Sequence, residues 1–231
     1  GSAYDLTIAI GVLAASEHIK TENIDQYAIM GELALYGEIR PIKGCLPIAI
    51  KAKEDGFKGI ILPAQNTAEA AVVEGLEVYS ANHINHVVKF FNTGAGLEKV
   101  TINLSETFSN KLNDVTFDFS DVKGQENIKR ALEIAAAGGH NAILIGPPGA
   151  GKTMLSKRMP SILPPLTVEE ALETTKIHSV AGKTVRQSGL ITQRPFRNPH
   201  HTISDVALVG GGNNPQPGEI SLAHNGVLFL D

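Results

Sequence analysis

The segment at residues 141–153 constrains the fold of this 231-residue chain more than any other part of it. It begins with the apolar run NAILI at 141–145 and continues directly as GPPGAGKT at 146–153. The second part matches G-x-x-x-x-G-K-[ST], a phosphate-binding loop that follows a strand and opens a helix. Its glycines permit backbone conformations in which consecutive amides point at one phosphate group. The segment therefore predicts a buried strand, the loop, and a helix that begins near Lys152.

Each part of this loop has a predicted task in binding ATP and Mg²⁺. Free amides at the helix start, together with the positive end of the helix dipole, attract phosphate. The ammonium of Lys152 reaches the β- and γ-phosphates, and the hydroxyl of Thr153 binds Mg²⁺. The alternative, a glycine-rich turn with an exposed lysine, is disfavoured by the complete motif and its flanks. The predicted nucleotide-binding residues are Gly146, Pro147, Pro148, Gly149, Ala150, Gly151, Lys152, Thr153 and Met154.

Asp231 is the predicted acidic partner of this loop. It follows the apolar run VLFL at 227–230, which is typical of a buried strand. A magnesium-bound triphosphate in this class of site needs an acidic residue at the end of a neighbouring strand. We therefore expect Thr153 and Asp231 to be the metal ligands, and Lys152 and Asp231 to be catalytic. The alternative is an ordinary aspartate that caps the next element.

Composition excludes several classes of function. The chain is 42% hydrophobic and 19% charged, as soluble globular proteins are. Its single cysteine, Cys45, excludes a disulfide framework and a cysteine-based zinc site. Aromatic residues make up only 5%, which argues against stacking platforms for single-stranded nucleic acid. Because the sequence contains neither an apolar run of roughly 18 residues nor a signal-peptide pattern, we expect a cytoplasmic protein with no membrane partner.

Alternating strand and helix signals in the first half predict an α/β domain. Compact apolar runs that end at turn residues indicate strands, and Ala-rich or amphipathic stretches between them indicate helices. The predicted elements are two short strands around a turn within 32–42, helices at 46–55, 67–74 and 84–91, and strands at 58–63 and 76–80. Helices that separate short apolar strands imply parallel pairing.

A polar stretch at 96–115 has no sustained hydrophobic period and predicts a linker. We expect one domain at 4–95 and a second at 116–231, which opens with a strong helix at 125–137 closed by two glycines. Gly1–Ala3 reads as the remnant of a cleaved tag. Because both ends of the remaining chain are abrupt, we expect it to be an internal piece of a longer protein.

Four stretches carry a resemblance to a known family. They are FSDVKGQ at 119–125, the loop at 146–153, PFRNPHHTIS at 195–204 and PGEISLAHNGVLFLD at 217–231. They resemble the AAA+ ATPases of the magnesium chelatase group, and the whole chain is similar to the ComM/YifB branch. The resemblance implies a P-loop NTPase (AAA+) α/β domain, truncated at the Walker B aspartate, and a homo-oligomeric, hexameric ring. It also implies ATP hydrolysis coupled to DNA remodelling, namely branch migration in recombination and natural transformation.

The first half is similar to the proteolytic domain of Lon, which implies a truncated α/β domain of the ribosomal S5 domain 2-like type. Lon-type peptidases use a nucleophilic Ser within D-G-P-S-A-G and a partner Lys that activates it. Aligned on the aspartate of that motif, the chain has Ile8 in place of the Ser. Counted back from residues 56–63, it has Ile48 in place of the Lys. Two isoleucines can neither attack nor take up a proton, so we predict no peptidase; Lys43 and Lys51 nearby are interpreted as solvated surface lysines.

Residues 174–204 contain no acidic side chain and several basic ones. The resemblance places this stretch among the insertions that precede the Walker B strand in related helicase-like rings. We predict that Arg186, Arg194 and Arg197 contact DNA phosphates, which gives salt-sensitive, sequence-independent binding. The alternative is that they form ordinary salt bridges or ring-interface contacts. The pair His200–His201 is not expected to bind one metal ion, because adjacent side chains on an extended segment point to opposite faces.

The sequence leaves three functions open. The first is a motor ATPase that remodels DNA. The second is the motor subunit of a metal chelatase that acts on a porphyrin partner, against which the Lon-like half argues. The third is a non-enzymatic adaptor in which the nucleotide is structural. We expect the chain as given to bind Mg–ATP and barely hydrolyse it, because the water-orienting Glu and the arginine finger implied by the resemblance lie outside it.

Overall fold

The computed structural model describes residues 2–103, 117–183, 189–213 and 215–231. The chain forms two compact units, the first from residues 1–107 and 178–190 and the second from residues 108–177 and 191–231. Residues 178–190 therefore belong with the first unit, although they lie within the stretch predicted as the second domain.

The first unit is built on a sheet with the strand order β1-β4-β5-β6. Strands β1, β4 and β5 run parallel, and β6 pairs antiparallel with β5 at the edge. A separate antiparallel hairpin is formed by β2 and β3. The strands are β1 (Tyr27–Ile29), β2 (Glu32–Leu33), β3 (Ile39–Arg40), β4 (Gly59–Pro63), β5 (Glu77–Ala81) and β6 (Glu98–Val100). The helices are α1 (Asp5–Ala15), α2 (Cys45–Glu54), α3 (Thr67–Ala70) and α4 (Ile84–Thr93).

Strand β4 explains why helices cover both faces of this sheet. All five of its residues are buried, and successive side chains on a strand point to opposite faces. Ile61 packs with apolar residues of α1 and α4, whereas Ile60 and Leu62 pack with residues of α2 and α3. A strand buried on both faces requires a continuous apolar run, and GIILP supplies it. The predicted α/β architecture with parallel strands is confirmed.

Several predicted elements differ in extent from the observed ones. The helix predicted at 67–74 ends at Ala70. Strand β6 falls within 96–115, the predicted linker, because it completes the edge of the sheet through pairs such as Val78 with Val100. The sequence patterns did not identify α1 or β1. Helix α1 carries apolar residues on its exposed side as well as its buried side, so it lacks the periodicity that reveals a helix.

A buried carboxylate lies at the start of α3. Glu69 is 4% exposed, and its Oε1 accepts a hydrogen bond of 2.8 Å from Asn66 Nδ2. Within the part of the chain that the structure describes, Oε2 has no hydrogen-bond partner of normal geometry. Burial raises the pKa of Glu69, and the neighbouring Ser179 hydroxyl and Asn66 amide offset only part of this increase. The charge of Glu69 is therefore costly to the folded state.

The second unit combines helices with two small two-stranded pairings. Strands β7 and β10 run parallel, and β8 and β9 form an antiparallel hairpin, as the glycine run at 210–212 allowed. The helices are α5 (Glu126–Gly138), α6 (Lys152–Ile162), α7 (Val168–Val180, of which residues 178–180 are assigned to the first unit), α8 (Asp205–Val209) and α9 (Glu219–Leu222). The strands are β7 (Phe196–Arg197), β8 (Gly210–Gly211), β9 (Gln216–Pro217) and β10 (Val227–Leu228).

The core of this unit joins α5 to α6. Buried Leu132 on α5 and Leu155 on α6 pack with Phe119 and Val122. Helix α5 follows Gln125 and ends at Gly138, and its C-cap Gly139 has a φ of 63°, in the left-handed region that glycine tolerates. The predicted helix and its glycine stop are confirmed. Among the described residues, no helix combines the length and the apolar character needed to cross a membrane.

The strand predicted at 141–145 is not observed. These residues form no strand, and the side chains of Ile143 and Ile145 are 84% and 91% exposed. Only Leu144 packs against the core cluster. A buried parallel strand requires hydrogen-bonded neighbours, and no described strand pairs with 141–145, since β10 pairs with β7 instead. The prediction of a buried strand was therefore wrong for this segment as it stands, and β10 is only half-buried.

Candidate nucleotide-binding site

The loop at 146–151 leads directly into α6, which begins at Lys152 as predicted. Gly149 and Gly151 adopt φ angles of 80° and 83°, values that other residues rarely reach without strain. Gly151 is the N-cap of α6 and brings no side chain to the first amides of the helix. These amides and the positive end of the helix dipole are therefore open to an anion.

Lys152 folds back over the loop that precedes it. Its Nζ donates hydrogen bonds of 3.0 Å to the carbonyl oxygen of Gly146 and 3.1 Å to that of Pro147. The ammonium is thus held at the loop rather than extended into solvent. A phosphate bound by the loop amides would lie within reach of this ammonium, and the two carbonyl bonds would be exchanged for phosphate contacts.

Thr153 and Asp231 lie together although 78 positions separate them in the chain. The Thr153 hydroxyl donates to Asp231 Oδ2 over 3.4 Å. Asp231 reaches this position because β10 directs the chain towards the start of α6. A hydroxyl and a single carboxylate are hard oxygen donors, and Mg²⁺ typically takes one or two carboxylates together with phosphate oxygens and water. This donor pair fits Mg²⁺ that arrives with a nucleotide.

The described residues contain no group of three or more His, Cys, Asp or Glu side chains that would hold a metal by themselves. His200 instead uses its Nδ1 in a 2.8 Å hydrogen bond with the Thr202 hydroxyl. The ring of His201 lies 4.2 Å from that of His200, measured between centroids. The contacts of the pair are local, and the absence of metal binding by these two histidines stays a prediction.

Two of the arginines predicted to contact DNA form ion pairs inside the second unit. Arg194 Nη2 lies 3.2 Å from Glu170 Oε2. Arg197 donates from Nε and Nη2 to the two carboxylate oxygens of Glu219 over 2.5 and 2.6 Å. Arg186 lies outside the described residues. The geometry is that of the alternative interpretation, internal salt bridges, and DNA contact by these arginines stays a prediction.

Sequence reasoning missed two residues that bind Arg194, namely Glu170 and Asn225. Thr167 and Glu170 form reciprocal bonds at the start of α7: the Thr167 amide donates to Glu170 Oε2 over 2.9 Å, and the Glu170 amide donates to Thr167 Oγ1 over 3.2 Å. The Thr167 amide, with help from Arg194, lowers the pKa of Glu170. The T-x-x-E pattern is a capping signal, and Asn225 followed by glycine is a turn signal. Neither pattern reveals that Arg194 binds both the Glu170 carboxylate and the Asn225 carbonyl oxygen.

Comparison with known proteins identifies the family to which the chain is related. The family model described as magnesium chelatase, subunit ChlI, matches residues 118–231, and that described as subunit ChlI of Mg-chelatase matches residues 1–66. The chain is 48% identical to YifB of Escherichia coli over 233 residues, which cover 100% of this chain and 44% of that protein. It is 45% identical to the competence protein ComM of Haemophilus influenzae over 231 residues, with 100% and 45% coverage. The chain belongs to the magnesium-chelatase-like ComM/YifB family.

The first unit of this ComM/YifB family member is Lon-like. Lon protease 2 of Bacillus subtilis is 32% identical over 144 residues, which cover 56% of this chain and 24% of that protein. The predicted fold class, a truncated Lon-like α/β domain followed by a truncated P-loop domain, is supported by these relatives and by the parallel sheet. The chain spans less than half the length of YifB and ComM.

The two positions predicted for a Lon-type dyad contain no reactive group. Ile8 is 64% exposed on α1, and Ile48 is half-buried on α2, where it packs against the core. Lys51 on the same helix forms a 2.8 Å ion pair with Asp55, and this hydrogen bond raises the pKa of Lys51. A lysine that serves as a general base requires a lowered pKa. That this half is not a peptidase stays a prediction.

Proposed function

We propose that the whole protein is an ATP-driven motor that remodels DNA, and that the site at 146–153 with Asp231 is where ATP and Mg²⁺ bind. The observation that carries the proposal is the meeting of the Thr153 hydroxyl with the Asp231 carboxylate, 3.4 Å apart, beside the loop closed by Lys152. Members of AAA+ families are generally ATPases, and relatives include a competence protein. Competence is the uptake and use of external DNA, which supports DNA as the substrate.

Each residue of the site has its own proposed role in nucleotide binding. The loop amides and the first amides of α6 would donate hydrogen bonds to the β-phosphate oxygens, while Lys152 would span the β- and γ-phosphates. Thr153 and Asp231, whose side chains meet beside the loop, would hold the metal. When bound, Mg²⁺ supplies positive charge that neutralises the phosphate oxygens. Because this arrangement stabilises charge rather than forming a covalent bond, Lys152 and Asp231 are proposed as catalytic through electrostatics and position.

A second function, the motor subunit of a metal chelatase, is favoured by the names of the matching family models. The Lon-like first unit favours the DNA motor, because YifB and ComM match over the full chain, including that unit. The third function, a non-enzymatic adaptor, would retain nucleotide binding without turnover. We propose that the full-length protein assembles into a homo-oligomeric, hexameric ring, as AAA+ membership suggests.

One experiment separates these three functions. The ATPase rate of the full-length protein is measured alone, with branched and linear DNA, and with a porphyrin plus Mg²⁺. If the protein is a DNA motor, DNA should raise the ATPase rate and the porphyrin should not. Lys152→Ala should then abolish ATP turnover, whereas Lys157→Ala, at an exposed position on the same helix, should not. Stimulation by porphyrin alone would support the chelatase, and binding without turnover under all conditions would support the adaptor. Sedimentation with and without ATP tests the ring.

A further inference from the structure

Arg194 has more hydrogen-bond partners than an arginine in a simple surface salt bridge. Its Nε donates to the carbonyl oxygen of Pro164 over 2.5 Å, and its Nη1 donates to the carbonyl oxygen of Asn225 over 2.8 Å. Its Nη2 contacts both carboxylate oxygens of Glu170 at 3.2 and 3.5 Å and the Pro165 carbonyl at 3.4 Å. The side chain is only 14% exposed. The guanidinium is therefore surrounded by fixed acceptors on several sides.

Two of these acceptors, the Pro164 and Asn225 carbonyl oxygens, flank the two elements next to the metal ligands. Pro164 follows the end of α6, the helix whose second residue is Thr153. Asn225 precedes β10, the strand that leads to Asp231. Arg194 thus joins the end of α6 that is remote from Thr153 to the end of β10 that is remote from Asp231. The helix and the strand are tied to each other at both ends, once by Arg194 and once by the Thr153–Asp231 contact.

The attachment of β10 on the Arg194 side is reinforced by neighbouring contacts. Asn225 has a φ of 57° and donates from Nδ2 to the carbonyl oxygen of Glu170 over 3.2 Å. Gly226 approaches the backbone of Pro195 so closely that a Cβ at this position would lie 2.1 Å from the Pro195 oxygen. The Val227 amide then donates to that same oxygen over 2.8 Å. The start of β10 therefore has little freedom to shift while Arg194 keeps its partners.

We propose that Arg194 is a positioning residue for the magnesium site: it sets the spacing between Thr153 and Asp231 by holding α6 and β10 together from their far ends. This inference rests on the proposed function, since it assigns Arg194 a task in that same ATP and Mg²⁺ site. Among the described residues, the partners of the Arg194 side chain are Pro164, Pro165, Glu170 and Asn225, not Thr153 or Asp231. Its loss removes the correct spacing of the metal ligands and leaves the phosphate loop and Lys152 intact.

The proposal predicts that substitution of Arg194 weakens ATP binding in the presence of Mg²⁺ but not in its absence. The Kd for ATP is measured by calorimetry on the full-length protein, once with excess Mg²⁺ and once with EDTA, and the ratio is the gain from Mg²⁺. We expect the wild-type gain to be at least about tenfold, the size of one charge-assisted contact. Arg194→Ala and Arg194→Lys should reduce the gain to less than about threefold, with the Kd in EDTA unchanged within about twofold. Thr153→Val and Asp231→Asn define the gain when a ligand is missing.

Arg158→Lys is the matched control. Arg158 is 15% exposed and contacts the same helix, with hydrogen bonds to the Asp118 and Met154 carbonyl oxygens and an ion pair with Asp121. None of these partners lies on β10, so this variant should keep the wild-type gain. Thermal melting of each variant identifies misfolding. If Arg194→Ala fails to fold, Arg194→Lys and Glu170→Gln take its place.

The outcomes distinguish this proposal from the function on which it rests. Variants of Arg194 that keep the full gain, or that lose affinity in EDTA as much as in Mg²⁺, would overturn the positioning role. In either case the proposed function survives, provided that wild-type protein binds ATP and Lys152→Ala does not. Failure of the wild type to bind ATP would overturn the proposed function itself. Replacement of Mg²⁺ by Mn²⁺ adds a spectroscopic readout. Compared with the wild type, the electron paramagnetic resonance spectrum of bound Mn²⁺ should change in Arg194→Lys and remain unchanged in Arg158→Lys.

Discussion

Replacement of Lys152 by alanine tests the site at its strongest expected contact. The ammonium would contact two phosphate groups, and each charge-assisted contact contributes about 1.5–3 kcal/mol, which gives about 3–6 kcal/mol. In the free loop the same ammonium already has hydrogen bonds of 3.0 and 3.1 Å to the Gly146 and Pro147 carbonyl oxygens. These bonds are given up on binding at a cost of about 1 kcal/mol each, less than a phosphate contact, because the carbonyl acceptors are neutral and both bonds are exposed to solvent. The net effect is about 1–4 kcal/mol, or a Kd weakened about 5- to 700-fold.

Calorimetric titration with ATP in EDTA isolates this contribution from that of the metal. Lys157→Ala is the control, because Lys157 is an exposed lysine on α6 and its removal changes the net charge equally. We expect the Lys152 variant to lose most of its affinity and the Lys157 variant to bind as the wild type does. A change of less than about twofold for Lys152→Ala would refute the reasoning, since it would mean that the ammonium stays on the loop carbonyls in the bound state.

Three further predictions concern other parts of the chain. Because burial raises the pKa of Glu69, the folded state binds more protons than the unfolded state, and the free energy of unfolding of the first unit should fall as pH rises above the ordinary pKa of 4.5. Glu69→Gln should remove this pH dependence in urea unfolding and stabilise the protein at neutral pH by about 1–3 kcal/mol. The full-length protein should not cleave casein or small peptides, with or without ATP; time-dependent cleavage that labels a serine of this chain would contradict the assignment of Ile8 and Ile48. Arg194→Ala with Arg197→Ala should weaken DNA binding uniformly across sequences and flatten its salt dependence; unchanged affinity and slope would leave both arginines with their internal ion pairs alone.

Local patterns predicted most of the first unit and the phosphate loop, because the information lies within a few neighbouring residues. The five apolar residues of β4 show that a strand is buried on both faces, and Gly139 shows where α5 ends. The loop at 146–151 has its conformation encoded in its glycines. Even the Thr153–Asp231 contact was predictable, since the carboxyl end of a strand beside such a loop is where the second metal ligand belongs.

The predictions that were wrong or incomplete depended on neighbours in space. The run at 141–145 is apolar enough for a buried strand, yet a strand forms only where a partner pairs with it, and none is present among the described residues. Strand β6 was interpreted as linker because only its pairing with β5 makes it a strand. Propensity can be read from one segment, but pairing requires knowledge of two.

The acid-free window at 174–204 shows the same limitation for charge. The absence of acidic residues within the window suggested arginines free to bind phosphate, but their partners lie just outside it. Glu170 precedes the window and pairs with Arg194, and Glu219 follows it and pairs with Arg197. A DNA phosphate would have to displace a carboxylate that is already well placed, so the gain from each contact would be the difference between two similar interactions. The loss of DNA affinity expected from the double variant is therefore smaller than two unpaired arginines would give, and the loss of Arg194 would in addition disturb the start of β10. For that reason Arg197→Ala alone, whose side chain pairs with Glu219 rather than with the Asn225 carbonyl, is the cleaner test of DNA contact. A reduced salt slope with an unchanged gain from Mg²⁺ would assign Arg197 to DNA, and an unchanged slope would leave Arg197 with its internal ion pair alone.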